Sequence, residues 1–133
     1  MLALDTHTLL WLMAESPSLG RKARSEIDSG RDDGILAVPA VCFWEVALLL
    51  RKNRVRLDRP VEKWRQDVLS AGITELPMTG EIGILSVQLA DLHGDPADRL
   101  IAATCLAHNA TLLTADRRLL DWKGGLQMQD ARQ

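Results

Sequence analysis

The sequence predicts an α/β domain with a mainly parallel sheet, because short apolar runs alternate along it with longer amphipathic ones. Its 133 residues fit one domain over positions 1–133 and can bury a real core without metal or disulfide staples. With 47% hydrophobic and 26% charged residues, the composition excludes a disordered tail, a collagen-like repeat and a disulfide scaffold.

Short apolar runs are the candidate strands, and they lie at residues 2–4, 35–38, 73–76, 111–113 and 126–128. In an open parallel sheet, the carboxyl ends of the strands line the crevice in which ligands bind. Residues that directly follow these runs are therefore the first candidates for a functional site.

Amphipathic helical segments separate the strands. Thr79 is the predicted N-cap of one helix, and Asp95 followed by Pro96 starts another that runs to about His108. The remaining predicted starts are Ser18, Pro39 and Val61. Trp64 continues the apolar spacing of the helix that begins at Val61.

Charge and cysteine usage exclude several classes of protein. The net charge is −2, so a polyanion would have to be bound by a local basic patch. Cys42 and Cys105 lie in apolar runs without metal-binding spacing, and we expect them to be reduced core residues of a cytoplasmic protein. The longest apolar stretch, residues 35–50, is interrupted by Pro39 and Glu45 and is shorter than the roughly 20 residues of a bilayer span. With no signal-peptide pattern at the start, no membrane role is expected.

Two acidic residues occupy unusual positions in the first half of the chain. Asp5 directly follows the first strand, where an acid can face the crevice, although it would also serve as the N-cap of the next helix. Glu45 lies on the apolar stripe of its helix, next to Cys42 and Leu49. A buried carboxylate needs a partner, so Glu45 is either a ligand or a residue at the core edge, exposed in part or paired with an Arg.

Two further acids follow in the second half. Asp98 falls in the first helical turn after Asp95, where the helix dipole favours the ionised form. Asp116 comes two residues after Thr114, just past a strand. Each has an ordinary alternative: Asp98 could exchange capping hydrogen bonds with Asp95, and Asp116 could cap a helix over residues 117–122.

All four acids, Asp5, Glu45, Asp98 and Asp116, can converge on one crevice. Clustered carboxylates remain ionised only if a cation neutralises them, and an all-oxygen set selects Mg²⁺ or Mn²⁺. Such sites most often perform phosphoryl chemistry. The chain contains no phosphate loop, dinucleotide fingerprint or nucleophile elbow, and its histidines lack zinc spacing. His7 and His108 are expected to be packed or surface residues.

A basic segment could guide a nucleic-acid backbone towards this crevice. Residues 51–65 carry a local charge of +5 and begin where the Glu45 helix ends, with Arg51, Lys52 and Arg54 nearest to it. A solvated, charged surface is an equally good interpretation. Aromatic stacking should contribute little, because Trp44 and Trp64 are both expected to lie in the core.

The motifs together resemble the PIN-domain nucleases and, more narrowly, the VapC-type toxins of bacterial toxin–antitoxin pairs. The resemblance covers essentially the whole chain and rests on the opening run through Asp5-Thr6-His7, on Glu45, on Asp95-Pro-Ala-Asp98-Arg99 and on Thr114-Ala-Asp116. It implies a three-layer α/β/α sandwich, an endoribonuclease dependent on Mg²⁺ or Mn²⁺, a homodimer, and a small antitoxin that enters the active-site groove.

The same resemblance assigns roles residue by residue. Asp5, Glu45, Asp98 and Asp116 match the metal-binding acids, Thr114 matches a small hydroxyl residue beside the last acid, and Thr6 is implied to shape the first metal site. Two alternatives remain at this point. One is a phosphohydrolase with an aspartate nucleophile, which usually has a second acid where this chain has His7. The other is a non-catalytic RNA- or partner-binding module in which the acids only cap helices.

Overall fold

The computed structural model describes residues 1–133 and contains one five-stranded, fully parallel sheet in the order β3-β2-β1-β4-β5. The strands are β1 (Leu2–Leu4), β2 (Leu36–Pro39), β3 (Thr74–Leu76), β4 (Thr111–Thr114) and β5 (Met128–Asp130). Each predicted strand is present, with bounds within two residues of the prediction. The predicted α/β class is confirmed.

Helices connect the strands and cover the sheet. They are α1 (Thr6–Met13), α2 (Arg21–Asp32), α3 (Val41–Arg51), α4 (Val61–Ser70), α5 (Gly80–Gln88), α6 (Pro96–Ala107) and α7 (Arg117–Leu120). Every residue of β1 and β2 is buried, so helices pack on both faces of the sheet, as in a three-layer α/β/α sandwich. No helix has the combined length and apolar character needed to cross a bilayer.

The predicted caps of α5 and α6 are confirmed. The Thr79 hydroxyl accepts a hydrogen bond from the backbone N–H of Ile82 at 3.2 Å. One Asp95 carboxylate oxygen accepts from the N–H of Asp98, also at 3.2 Å, and Pro96 occupies the first helical position. These two caps set where the helices begin at the same edge of the sheet.

Two predicted helix starts are wrong. Ser18 lies in a turn, and α2 begins at Arg21 after a Gly20 cap that makes no side-chain hydrogen bond. Pro39 ends β2 instead of opening α3. A proline is tolerated there because the pairing of β2 with β1 stops at Ala37, so the missing N–H leaves no gap in that ladder.

The core contains both cysteines and one of the two tryptophans expected there. Cys42 and Cys105 are buried and free, and Trp64 packs edge-to-face on Phe43 with ring centroids 5.9 Å apart. The expectation for Trp44 is wrong, because its side chain is 54% exposed. The buried side of α3 carries Cys42 and Phe43, and Trp44 lies on the outward side of the helix.

The central strands should dominate stability, so we expect Leu113→Ala in β4 to lower the free energy of unfolding by about 3 kcal/mol. Leu113 is fully buried, and its removal leaves a cavity that the flanking layers cannot close. Val87→Ala is the matched control, because Val87 is 79% exposed. It should change the free energy of unfolding by less than about 0.5 kcal/mol. Urea denaturation measures both; equal effects would contradict this account of the core.

Candidate metal centre

Four acids predicted from the sequence lie together at the carboxyl edge of the sheet. Asp5 follows β1, and Asp116 follows the adjacent strand β4. Asp98 lies in the first turn of α6, and Glu45 projects from α3, which packs against both α1 and α6. All four line a single cavity of about 300 Å³. A fifth carboxylate, that of Asp95, also lines it.

Asp5 is the most deeply buried of these acids. One carboxylate oxygen caps α1 by accepting from the N–H of Thr8 at 3.0 Å, and the other accepts from the Thr114 hydroxyl. Burial raises the pKa of Asp5 above its ordinary value, against the opposing effect of the Thr114 and Thr8 hydrogen bonds. Asp5 is therefore a helix cap, as the sequence allowed, and also a buried acid facing the cavity.

Glu45 is partly exposed at the edge of the core, and its close side-chain partner is a hydroxyl. Thr6, the first residue of α1, donates its hydroxyl hydrogen to the carboxylate of Glu45. No Lys, Arg or His nitrogen lies within 4.0 Å of that carboxylate, so the Arg pairing considered from the sequence is not present. Thr6 thus connects α1 to the acid on α3.

Asp98 does not exchange caps with Asp95. Its backbone N–H donates to Asp95, but its own carboxylate lies 2.7 Å from Nε2 of His93, in the loop before α6. Burial raises the pKa of Asp98 to about 6, and the charges of Asp95 and Asp116 add to the rise, while the His93 hydrogen bond opposes it. The acid is held in a place that penalises its ionised form.

Asp116 joins the cluster through Thr114 and Arg118. Its N–H donates to the Thr114 hydroxyl at 3.1 Å, and one carboxylate oxygen caps α7 by accepting from the N–H of Arg118 at 2.8 Å. The Thr114 hydroxyl therefore connects Asp5 with the backbone of Asp116. The predicted capping role is present, although α7 ends at Leu120 and is shorter than expected.

One cation reaches these acids. The guanidinium of Arg118 lies 3.6 Å from the Asp116 carboxylate and 3.8 Å from that of Asp98, but its side chain is 63% exposed. An exposed, solvated Arg compensates such a cluster only weakly. One ligand atom from each of His93, Asp98 and Asp116 lies within 4.8 Å of the others, a spacing that can hold a metal ion. The carboxylate-rich set fits Mg²⁺ or Mn²⁺.

Sequence reasoning missed three residues of this site: His93, Arg118 and Arg132, of which the two arginines line the cavity. His93 lies in a loop five residues before Asp98. Neither helical nor strand periodicity predicts contact between side chains at that spacing. Arg132 stacks over the Trp11 ring at 5.5 Å and donates to the Ala115 carbonyl at 2.9 Å. Only the fold brings this near-terminal residue to the site.

His7 and His108 are surface residues, as expected.

The basic segment divides into two parts. Arg59, Lys63 and Arg65 form ion pairs with nearby acids. Lys52 and Arg54 form none, and they line a second cavity that shares Glu45 and Asp95 with the acidic one. Arg51, the last residue of α3, is exposed beside them. The part of the segment that is free of ion pairs is therefore the part nearest the acids.

The raised pKa of Asp98 gives a stability prediction for the metal-free protein. The pKa of Asp98 is about 6 in the folded protein against an ordinary 3.8. The ionised carboxylate therefore lowers the free energy of unfolding above pH 6, and this loss becomes smaller as the pH falls from 6 towards 3.8. We expect Asp98→Asn, measured in a chelator at pH 7.5, to raise the free energy of unfolding by about 1–2 kcal/mol, less than the full shift because solvent screens the site. At pH 4 the gain should nearly vanish. If Asp98→Asn were less stable than wild type at pH 7.5, the claim that ionised Asp98 destabilises the metal-free fold would be contradicted.

Comparison with known proteins agrees with this architecture. A family model described as the PIN domain matches residues 2–124. Ribonuclease VapC22 of Mycobacterium tuberculosis is 37% identical over 117 residues, which are 87% of each chain. Among solved structures, a chain of VapBC2 from Rickettsia felis bound to a promoter DNA fragment matches with a TM-score of 0.72 and 14% identity over 97% of both chains.

A chain of a toxin–antitoxin complex from Klebsiella pneumoniae matches with a TM-score of 0.65 and 17% identity over 98% of both chains. At these identities the solved structures establish the fold, and the predicted three-layer sandwich is confirmed. The family model and the M. tuberculosis relative each span most of the chain. It therefore belongs to the PIN-domain family.

Proposed function

We propose that this chain is a divalent-metal-dependent endoribonuclease that acts as the toxin of a toxin–antitoxin pair. The observation that carries the proposal is the gathering of Asp5, Glu45, Asp98 and Asp116 around one cavity, where Arg118 is the one Arg or Lys within 4.0 Å of their carboxylates. The M. tuberculosis relative is named a ribonuclease, which supports RNA as the substrate.

The four acids are the proposed ligands of the metal, and Mg²⁺ or Mn²⁺ held among them would polarise a phosphodiester and activate water. Thr114 and Thr6 act on the ligands: the Thr114 hydroxyl fixes one oxygen of Asp5, and the Thr6 hydroxyl fixes one oxygen of Glu45. Attack of water with cleavage of the P–O3′ bond leaves a 5′-phosphate and a 3′-hydroxyl end. These ends identify the reaction.

A module in which the acids only cap helices explains part of the cluster. Asp5, Asp95 and Asp116 each use one oxygen as a cap. Asp98 and Glu45 cap no helix, and their carboxylates face the same cavity. Burying them together costs stability that capping does not recover. The aspartate-nucleophile alternative has no second acid two residues after Asp5, because exposed His7 stands there.

RNA binding is proposed for the part of the basic segment that is free of ion pairs. Lys52 and Arg54 line the cavity that adjoins the acidic one at Glu45, and Arg51 lies beside them. Phosphate groups on either side of the cleaved bond would meet these cations. The acidic whole-molecule charge makes this local patch necessary.

The same family suggests the partners. The matched structures from R. felis and K. pneumoniae are described as VapBC2 and as a toxin–antitoxin complex, so we propose a cognate antitoxin for this chain, together with a homodimer. The proposed site of action is the cytoplasm, where RNA is available and free cysteines such as Cys42 and Cys105 stay reduced.

The catalytic proposal is tested with protein freed of any bound partner and a single-stranded RNA. We expect cleavage with Mg²⁺ or Mn²⁺, none in a chelator, and a rate at least about 100-fold lower for Asp98→Asn. Asp33→Asn is the matched control, an exposed acid between α2 and β2 and so at the opposite edge of the sheet.

Product ends separate this activity from a contaminant. Sequencing and end-labelling should detect 5′-phosphate and 3′-hydroxyl ends in the metal-dependent products. Cyclic 2′,3′-phosphate ends, cleavage in the chelator, or an Asp98→Asn rate equal to that of wild type would each refute the catalytic assignment.

The role of the basic patch predicts a change in substrate binding without a change in chemistry. Replacing both Lys52 and Arg54 by Gln should raise the KM for RNA roughly tenfold and leave kcat within about twofold, with the effect shrinking as salt is added. Lys63→Gln is the control, because Lys63 is already paired with Asp67 at 3.0 Å. Steady-state kinetics at two salt concentrations measures this; an unchanged KM in the double variant would contradict RNA contact there.

A further inference from the structure

His93 makes a close contact with one acid of the cluster. Its Nε2 lies 2.7 Å from Oδ2 of Asp98, and the two side chains are only 17% and 13% exposed. The other ring nitrogen, Nδ1, is buried without a hydrogen-bond partner. The His93 side chain therefore directs its one hydrogen bond at Asp98.

The surroundings fix which nitrogen carries the hydrogen. An ionised carboxylate can only accept, so the short contact requires a hydrogen on Nε2 of His93. A hydrogen on Nδ1 would be buried without an acceptor, which is costly. The tautomer protonated on Nε2 satisfies both conditions. In it, His93 donates to Asp98 and holds one of its two oxygens.

The loop that carries His93 is itself held by α6. The guanidinium of Arg99 donates to five backbone carbonyls at the end of α5 and in the following loop, at distances of 2.7 to 3.2 Å. Those carbonyls belong to Ser86, Val87, Leu89, Leu92 and His93. Arg99 directly follows Asp98, so both residues lie in the same turn of α6. Arg99 fixes the loop through its backbone carbonyls, and Asp98 accepts the hydrogen bond from His93 in that loop.

We propose that His93 is a positioning residue for Asp98: it occupies Oδ2 and leaves Oδ1, which has no hydrogen bond or ion pair, free to bind a divalent cation. This inference rests on the proposed function, since it concerns a ligand of the proposed metal site. Partners of this kind orient the ligands of metal sites, and their loss commonly weakens metal binding 10- to 100-fold.

A direct ligand role for His93 is the competing interpretation, since its nitrogen is within 4.8 Å of the ligand oxygens of Asp98 and Asp116. The geometry favours positioning, because Nε2 is already engaged by Asp98 at 2.7 Å and would have to give up that bond to reach a cation. Nδ1 is buried away from any partner. The two roles make different predictions for a glutamine at this position.

The test is calorimetric titration of Mn²⁺ into the metal-free full chain. His93→Leu removes the donor and should weaken Mn²⁺ binding at least about tenfold. His93→Gln keeps an N–H donor at similar reach and should stay within about threefold of wild type. His108→Leu, a matched change at an exposed histidine beyond the other end of α6, should bind like wild type. Thermal unfolding in a chelator verifies that each variant is folded.

Equal binding by His93→Leu and wild type would overturn the proposal, and so would a glutamine variant as weak as the leucine variant, which would indicate a ligand. The wild-type tautomer gives a second test that needs no variant. A long-range proton–nitrogen NMR spectrum should show His93 protonated on Nε2, and protonation on Nδ1 alone would overturn it. Wild-type cleavage of RNA decides the proposed function, whereas the ratio between variants decides this inference.

Discussion

The burial of several carboxylates at one edge of the sheet is the constraint on which the site depends. Asp98 is kept in a position that raises its pKa to about 6, through burial first and then the charges of Asp95 and Asp116. Asp5 is buried and its pKa is also raised. The fold therefore stores an unfavourable interaction that a bound cation would relieve, and the function we propose follows from that relief.

The scaffold holds this arrangement with hydroxyl and imidazole donors. Thr114 binds Asp5, Thr6 binds Glu45, and His93 binds Asp98. The two threonine hydroxyls orient Asp5 and Glu45 without neutralising their charge, whereas a buried Arg or Lys would compete with a cation for the same oxygens. Arg118 is the exception, and its exposed side chain can move aside.

The sequence predicted the fold class well because parallel strands buried on both faces are short apolar runs, and because the Thr79 and Asp95 caps are local signals. It failed where tertiary context decides. Pro39 suits a helix start when the sequence is considered alone. In the structure it ends β2, where β1 no longer pairs with that strand, so a residue without an N–H is tolerated. Trp44 shares a helix with core residues and still faces outward. Asp5 and Asp116 were found because they follow strands, Asp98 because it lies in the first turn of a helix, and Glu45 because it lies on an apolar helix face. The contact of His93 with Asp98 across a loop required the fold.

Anomalous diffraction from crystals soaked in Mn²⁺ tests the central claim most directly. The account predicts one or more manganese peaks in the acidic cavity, about 2.0–2.3 Å from carboxylate oxygens of Asp98 and its neighbours, with the Arg118 guanidinium moved away from them. A cavity without manganese at millimolar Mn²⁺, with Arg118 still between Asp98 and Asp116, would contradict it.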